Sequence, residues 1–184
     1  MELSHLSGEE FEFEAEDTLV RILPNFRAAS LSFFSGEYGP FEPMEYIEVP
    51  LWLAIVLKKK KKCDIIMPEW LTLNKLKEIL AEEKENDFYT DLPFHYREIA
   101  SLLFEVCKDD LEVHSIYDHI EKIRKSKFKE GIKKSCQEVV SNESSPNFIN
   151  LGKLSGSECS AFSSLFLPYL DQIKDIDDVQ NQVS

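Results

Sequence analysis

The residues of this 184-residue chain whose types could do chemistry are four histidines, four cysteines and a run of five lysines. His5, His95, His114 and His119 are scattered. The last two stand five apart, off the i, i+4 spacing that lets two imidazoles share a metal on one helical face. Cys63, Cys107, Cys136 and Cys159 form no CxxC or CxxH pair, so a zinc site is not expected. Buried free thiols in a reducing compartment are expected instead. Gly36 and Gly39 belong to no phosphate-cradling motif, and there is no GxSxG elbow. With 34 acidic residues, paired carboxylates occur by abundance alone. The sequence assigns no catalytic, cofactor-binding or metal-ligating residue.

The lysine run, Lys58, Lys59, Lys60, Lys61 and Lys62, admits three readings. It suits the solvated C-terminal end of a helix, where the dipole favours cations. It also suits contact with an acidic partner or, less well, with DNA, since five adjacent ammonium groups bind phosphate weakly and in a salt-sensitive way. No aromatic residues alternate with these lysines, which argues against a stacking platform for single strands. A second basic stretch, seven Lys/Arg between Lys122 and Lys134, has the same ambiguity.

Charge bounds these options. The formal net charge is -13, so a nucleic-acid clamp over the whole surface is excluded and any DNA contact must be local or indirect. With 43% hydrophobic and 30% charged residues the composition is globular. The acidic N-terminus does not read as a signal peptide, and the longest apolar run, Val49 to Leu57, is too short to span a bilayer. A soluble intracellular protein without a membrane role is expected.

The elements that must position these groups divide at Pro68. Before it, Phe11, Phe13 and Ala15 alternate with glutamates, which suits a strand, while a short helix from Ser7 to Glu16 with Ser7 as cap is comparably supported. Thr18 to Pro24 reads as a strand, with Leu31 to Phe34 as its partner and turn chemistry from Gly36 to Pro40. Pro50 suits the first position of a helix in which Leu51, Ala54, Ile55 and Lys58 share a face. Cys63 to Met67 would return to the sheet. After Pro68 the texture is helical. One helix carries Leu73, Leu76 and Leu80, with Glu78, Glu82, Glu83, Lys84 and Glu85 on its wet side. A second runs through Tyr96, Ile99, Ala100, Leu103, Val106 and Cys107, and is apolar on most sides. A third holds Ile116, Tyr117, Ile120, Ile123, Phe128 and Ile132. A polar break at Asn142 to Pro146 precedes a fourth from Phe162 to Ile173, with Pro168 inside it.

The fold class expected is α+β: a small N-terminal β-rich domain over 1–67, a larger all-helical domain over 68–174, and an acidic tail over 175–184 expected to be disordered. Trp52 and Trp70, large rings with a polar handle, suit either core packing or a subunit interface. The second helix has more apolar surface than a lone bundle would cover, so other subunits are expected to cover the excess.

Five motifs then occur in order: Leu23-Pro24-Asn25-Phe26, Gly39-Pro40-Phe41-Glu42-Pro43, Glu48-Val49-Pro50-Leu51-Trp52-Leu53-Ala54, Lys62-Cys63 and Pro68-Glu69-Trp70. In that order and spacing the chain resembles the eukaryotic GINS subunit-two family (partner of Sld-five, second subunit). The resemblance implies a small B-type domain followed by a helical A-type domain, and a nuclear, non-enzymatic scaffold without cofactors. It implies a heterotetramer with three sister GINS subunits, which joins the MCM hexamer and a Cdc45-type protein in the replicative helicase. It marks Pro50, Leu51, Trp52, Leu53, Pro68 and Trp70 as structural or subunit-interface positions. The alternative is an autonomous DNA-binding protein using the two basic stretches.

Overall fold

The computed structural model describes residues 8–86, 89–107, 111–140, 153–161 and 163–164, with side chains defined as far as 131 in the longest helix. The forecast Ser7 cap, the break at 142–146, the tail and the 162–173 helix apart from 163–164 lie outside the described residues. The ambiguous first segment is helix α1 (Gly8–Glu16), which buries Phe11 and Ala15, four residues apart on one face. That helical register outweighs the alternation and turns Phe13 to solvent.

Five short strands follow: β1 (Leu19–Pro24), β2 (Leu31–Phe33), β3 (Gly36–Tyr38), β4 (Ile47–Pro50) and β5 (Cys63–Ile65). β1 is central in an antiparallel sheet of order β4-β1-β5, with Val20 paired to Val49 and Ile22 to both Ile47 and Ile65. Its alternation buries Val20, Ile22 and Pro24. The expected pairing of β1 with Leu31–Phe34 is corrected here. β2 closes instead on β3 through a tight local turn, Phe33 opposite Gly36, and forms a separate two-stranded hairpin. Gly39 follows at φ 124°, where a Cβ would lie 2.7 Å from the Ser30 Cα, so only glycine fits.

Helix α2 (Leu51–Lys59) begins one residue later than expected, because Pro50 is the last residue of β4 and caps the helix from outside. Leu51, Leu53, Ala54, Ile55 and Leu57 are buried. An all-round apolar helix has to be covered on both sides, and α2 packs on the sheet and on α4 (Tyr96–Val106). The lysine run then ends it in a Schellman motif. Lys62 N–H donates to Leu57 O at 2.9 Å and Lys61 N–H to Lys58 O at 2.8 Å, with Lys61 in the left-handed region at φ 57°.

Beyond a 3-10 turn (Glu69–Leu71), helix α3 (Leu73–Glu85) runs against the 30-residue α5 (Leu111–Val140). One buried cluster extends from Ala15 to Ile120, straight across Pro68. The expected surplus of apolar surface on the second helix is not found. On α4, Tyr96, Ile99, Ala100, Leu102 and Leu103 are all buried within the chain itself, because α1 and α2 cover one side and the Tyr117 ring packs on the other.

Glycine is the residue best suited to the left-handed position after α2. Lys61→Gly should therefore stabilise the chain by about 1 kcal/mol, read as a raised melting temperature. A lowered value would show that the lysine side chain contributes more than its strained backbone costs.

Candidate interaction surface

The six apolar positions singled out in the sequence separate by burial. Pro50, Leu51 and Leu53 are buried in the chain's own core. Trp52, Pro68 and Trp70 are partly buried. The Trp52 ring stands edge-on to Phe33 at 5.1 Å and to Tyr38 at 6.4 Å, so it props the β2–β3 hairpin on α2. Trp70, on the 3-10 turn, stands edge-on to Tyr96 at 6.5 Å and seats that turn on α4. Such aromatic edge-to-face pairs add to the area they bury.

The lysine run also separates. Lys58 donates to Asp64 across the turn at 2.8 Å, and that hydrogen bond raises its pKa. Lys59 reaches Glu105 on α4 at 3.1 Å. Lys60, Lys61 and Lys62 are exposed. Only three of the five ammonium groups are thus uncommitted to a carboxylate, a small cationic corner on an acidic protein. Cys63, just beyond, is buried, and burial pushes its thiol up to about 11, which leaves it protonated and unreactive at neutral pH.

The densest cluster of titratable groups went unrecognised in the sequence. Arg124 is 1% exposed, and its guanidinium spends all five N–H donors. Nε and Nη2 hold the two oxygens of Glu158 at 3.0 and 2.8 Å. Nη1 holds Glu83 Oε1 at 2.8 Å and Thr90 O at 3.2 Å, and Nη2 also reaches Lys153 O at 2.9 Å. Tyr89 and Tyr96 flank it, their ring centroids 4.9 and 5.3 Å away. Glu83 is fully buried, not on the wet side of α3 as expected. It also accepts from Lys127 and from the Thr90 hydroxyl, the latter at 2.7 Å. Two cations forecast for a basic stripe on α5 are therefore committed inward.

Burial alone would raise the Glu83 carboxyl. The Lys127 ammonium, the Thr90 donors and Arg124 outweigh it and hold the group below the usual carboxylate range. Burial likewise opposes ionisation of Glu158, and the Arg124 fork with the Ser155 N–H overcomes it. Chemically this is a closed, mutually neutralised set that fastens α3, α5 and the helical residues 156–161 together. It offers a substrate no free acid or base. A signal was present in the sequence: Glu83 continues the Leu76, Ile79 stripe of α3 at i+7, and Arg124 continues the Val113, Tyr117, Ile120 stripe of α5. Opposite charges on two core-facing registers point to a buried pair.

Among the described residues no His/Cys/Asp/Glu group could hold a metal, and no helix is long and apolar enough to cross a membrane. Large apolar side chains do reach the surface, with Phe34 fully exposed, Leu111 at 83%, Met44 at 79% and Phe13 at 71%. Three of these four lie in the N-terminal half, not on the helix where surplus was expected.

Two outcomes follow. Arg124→Ala removes the guanidinium shared by two buried carboxylates and should cost about 3–5 kcal/mol, while Lys125→Ala, an exposed partner of Glu121, should cost less than about 0.5 kcal/mol. Equal melting temperatures would refute the network's role. Because the Glu83 and Glu158 carboxyls are depressed on folding, their contribution is complete above the unfolded value of about 4.3 and is lost as pH falls through the folded values. Thermal melts from pH 7 to pH 2 should fall only below about pH 4.5, and a flat profile would contradict this.

Comparison with known proteins follows the same division of the chain. Residues 7–66 match the PSF2 N-terminal domain and residues 70–175 the GINS complex protein helical bundle domain. The chain is 32% identical over 180 residues to the DNA replication complex GINS protein psf2 of Schizosaccharomyces pombe, covering 96% of this chain and 93% of that one. It is 38% identical over 107 residues to the human DNA replication complex GINS protein PSF2, covering 58% of each. With the probable PSF2 of Drosophila melanogaster it shares 37% identity over 126 residues, covering 66% of this chain and 62% of that one. The human and fly alignments thus span less than two thirds of those relatives' length. Two domain matches in tandem and a relative aligned almost end to end place this chain in the PSF2 family of GINS proteins.

Proposed function

We propose that the chain is a non-catalytic scaffold subunit of a GINS heterotetramer. It assembles with three sister GINS subunits in the nucleus. There the complex joins the MCM hexamer and a Cdc45-type protein in the replicative helicase, for initiation and elongation of DNA replication. The observation that carries this reading is the tandem of family segments, 7–66 and 70–175, in one polypeptide. In this reading 1–67 is the small domain and 68–174 the helical domain. The Arg124 cluster supports a structural part, since Glu83, Arg124, Lys127 and Glu158 are all spent on holding the fold. Exposed Phe34, Met44 and Leu111 are the kind of side chain that association covers, although single exposed apolar residues carry little weight alone.

The rival reading, an autonomous DNA-binding protein, loses force on geometry. Lys58 and Lys59 of the first stretch, and Arg124, Lys125 and Lys127 of the second, are paired within the chain, which takes these five cations out of any unopposed phosphate contact. Against a net charge of -13, the exposed Lys60, Lys61 and Lys62, with Lys122 and Lys129 on α5, are left to support a local contact at most, with an acidic partner or DNA.

Co-expression of the full chain with the three sister subunits, followed by mass measurement of the purified species, tests the reading. One particle holding a single copy of each subunit is expected. A chain that purifies apart from its sisters would overturn it.

A further inference from the structure

Helices α1, α4 and α5 leave between them an open groove of about 980 Å³. Half-buried Phe104 supplies apolar surface beside the largely buried Tyr117, and the rest of the lining is mostly acidic. α1 contributes Glu9 and Glu12, three apart and therefore on one face, α4 contributes Glu98, and α5 contributes Asp118. Arg97 and Glu121 also line it, but they pair with each other at 2.9 Å, so their charges cancel. Among the described residues, none of Glu9, Glu12, Glu98 and Asp118 is in an ion pair. The Glu98 Oε2 oxygen, moreover, is buried and lacks a hydrogen-bond partner. A buried carboxylate oxygen without a donor is costly, and here the chain itself does not supply the donor.

We infer that this groove docks a Lys- or Arg-bearing amphipathic segment of a partner protein, its apolar side on Phe104 and its cations on Glu9, Glu12, Glu98 and Asp118. The inference rests on the reading of the chain as an assembling subunit and adds the chemistry of one partner surface. Nucleic acid is excluded as occupant, because unpaired carboxylates repel phosphate. A divalent ion is disfavoured, since among the described residues these carboxylates do not converge into a metal-holding group. An amphipathic helix laid in a groove satisfies both the apolar surface and the charged walls.

The probe is a fluorescein-labelled Leu/Lys amphipathic peptide of about 14 residues, roughly four turns, beside a Leu/Glu peptide of the same pattern. Binding to the full chain is measured at about 0.15 M salt, where charges more than about 8 Å apart are largely screened. Three chains are compared: the parent, the groove variant Glu9→Gln/Glu12→Gln/Glu98→Gln/Asp118→Asn, and a control of equal charge, Glu37→Gln/Glu45→Gln/Glu69→Gln/Glu82→Gln, all at exposed positions. The groove variant should lose at least about tenfold in affinity for the Leu/Lys peptide, with the control within about twofold of the parent. Equal loss in both variants, no loss in either, or equal binding of the Leu/Glu peptide would overturn the inference. If the groove variant melts early, Glu12→Lys/Asp118→Lys, confined to exposed side chains, is read by the same criteria. Should the peptide result fail while the chain still co-purifies with its sisters, only the groove assignment falls. Failure to co-purify would overturn the subunit reading itself.

Discussion

Helix α4 is the constraint on which the structure turns. Tyr96, Ile99, Ala100, Leu102 and Leu103 leave it few faces that tolerate water, and no single neighbour can cover them all. α1 and α2 take one side, while the aromatic contacts of Tyr96 and Phe104 with Tyr117 bring α5 to the other. The N-terminal module is thereby bound to the helices as part of one core, not tethered beside them. Lys59–Glu105 fastens the rim of that junction. At its other edge the Gly156 backbone meets Phe11 and Phe94 so closely that a Cβ would lie 2.7 and 2.6 Å from their rings.

The Arg124 network works by a different physics. Three charges, from Glu83, Arg124 and Glu158, are carried into the interior, and their desolvation is offset only because every donor of the guanidinium finds an acceptor. Apolar side chains of similar volume could fill the same space. What the ions add is geometric selectivity, since the bidentate fork of Arg124 on α5 donates to both Glu158 oxygens in one relative register only. The residues around 153–161 are thus positioned by polar geometry, and the N-terminal module by area.

How much of this was legible in the sequence follows from which forces are local. Strand β1 announced itself through β-branched residues stopped by Pro24, and α2 through Pro50 and its apolar run. The helices after Pro68 followed the 3.6-residue period. Strand pairing was not legible: Leu31–Phe33 has strand character, but its partner is chosen by the tight turn at Phe34–Ser35, which the periodicity does not encode. Glu83 and Arg124 were misplaced because charge was read as exposure, although their register on the apolar stripes opposed it. The surplus on α4 was misjudged because helical periodicity says nothing of how many neighbours will pack on one helix. Of the six apolar positions that family resemblance marked, the sequence could not say which way each faces. Burial places Pro50, Leu51 and Leu53 inward.

A shared core and a separate surface for partners make one demand on unfolding. The two tryptophans fall on either side of Pro68, Trp52 in α2 and Trp70 beside Tyr96, so each reports on one part of the molecule. Equilibrium denaturation of the full-length Trp52→Phe and Trp70→Phe chains, followed by fluorescence and by helical circular dichroism, reads both parts in turn. In each variant the account requires the two signals to change together in one cooperative transition. Separate midpoints for the tryptophan and the helices would mean that α4 does not join the modules, and would contradict it.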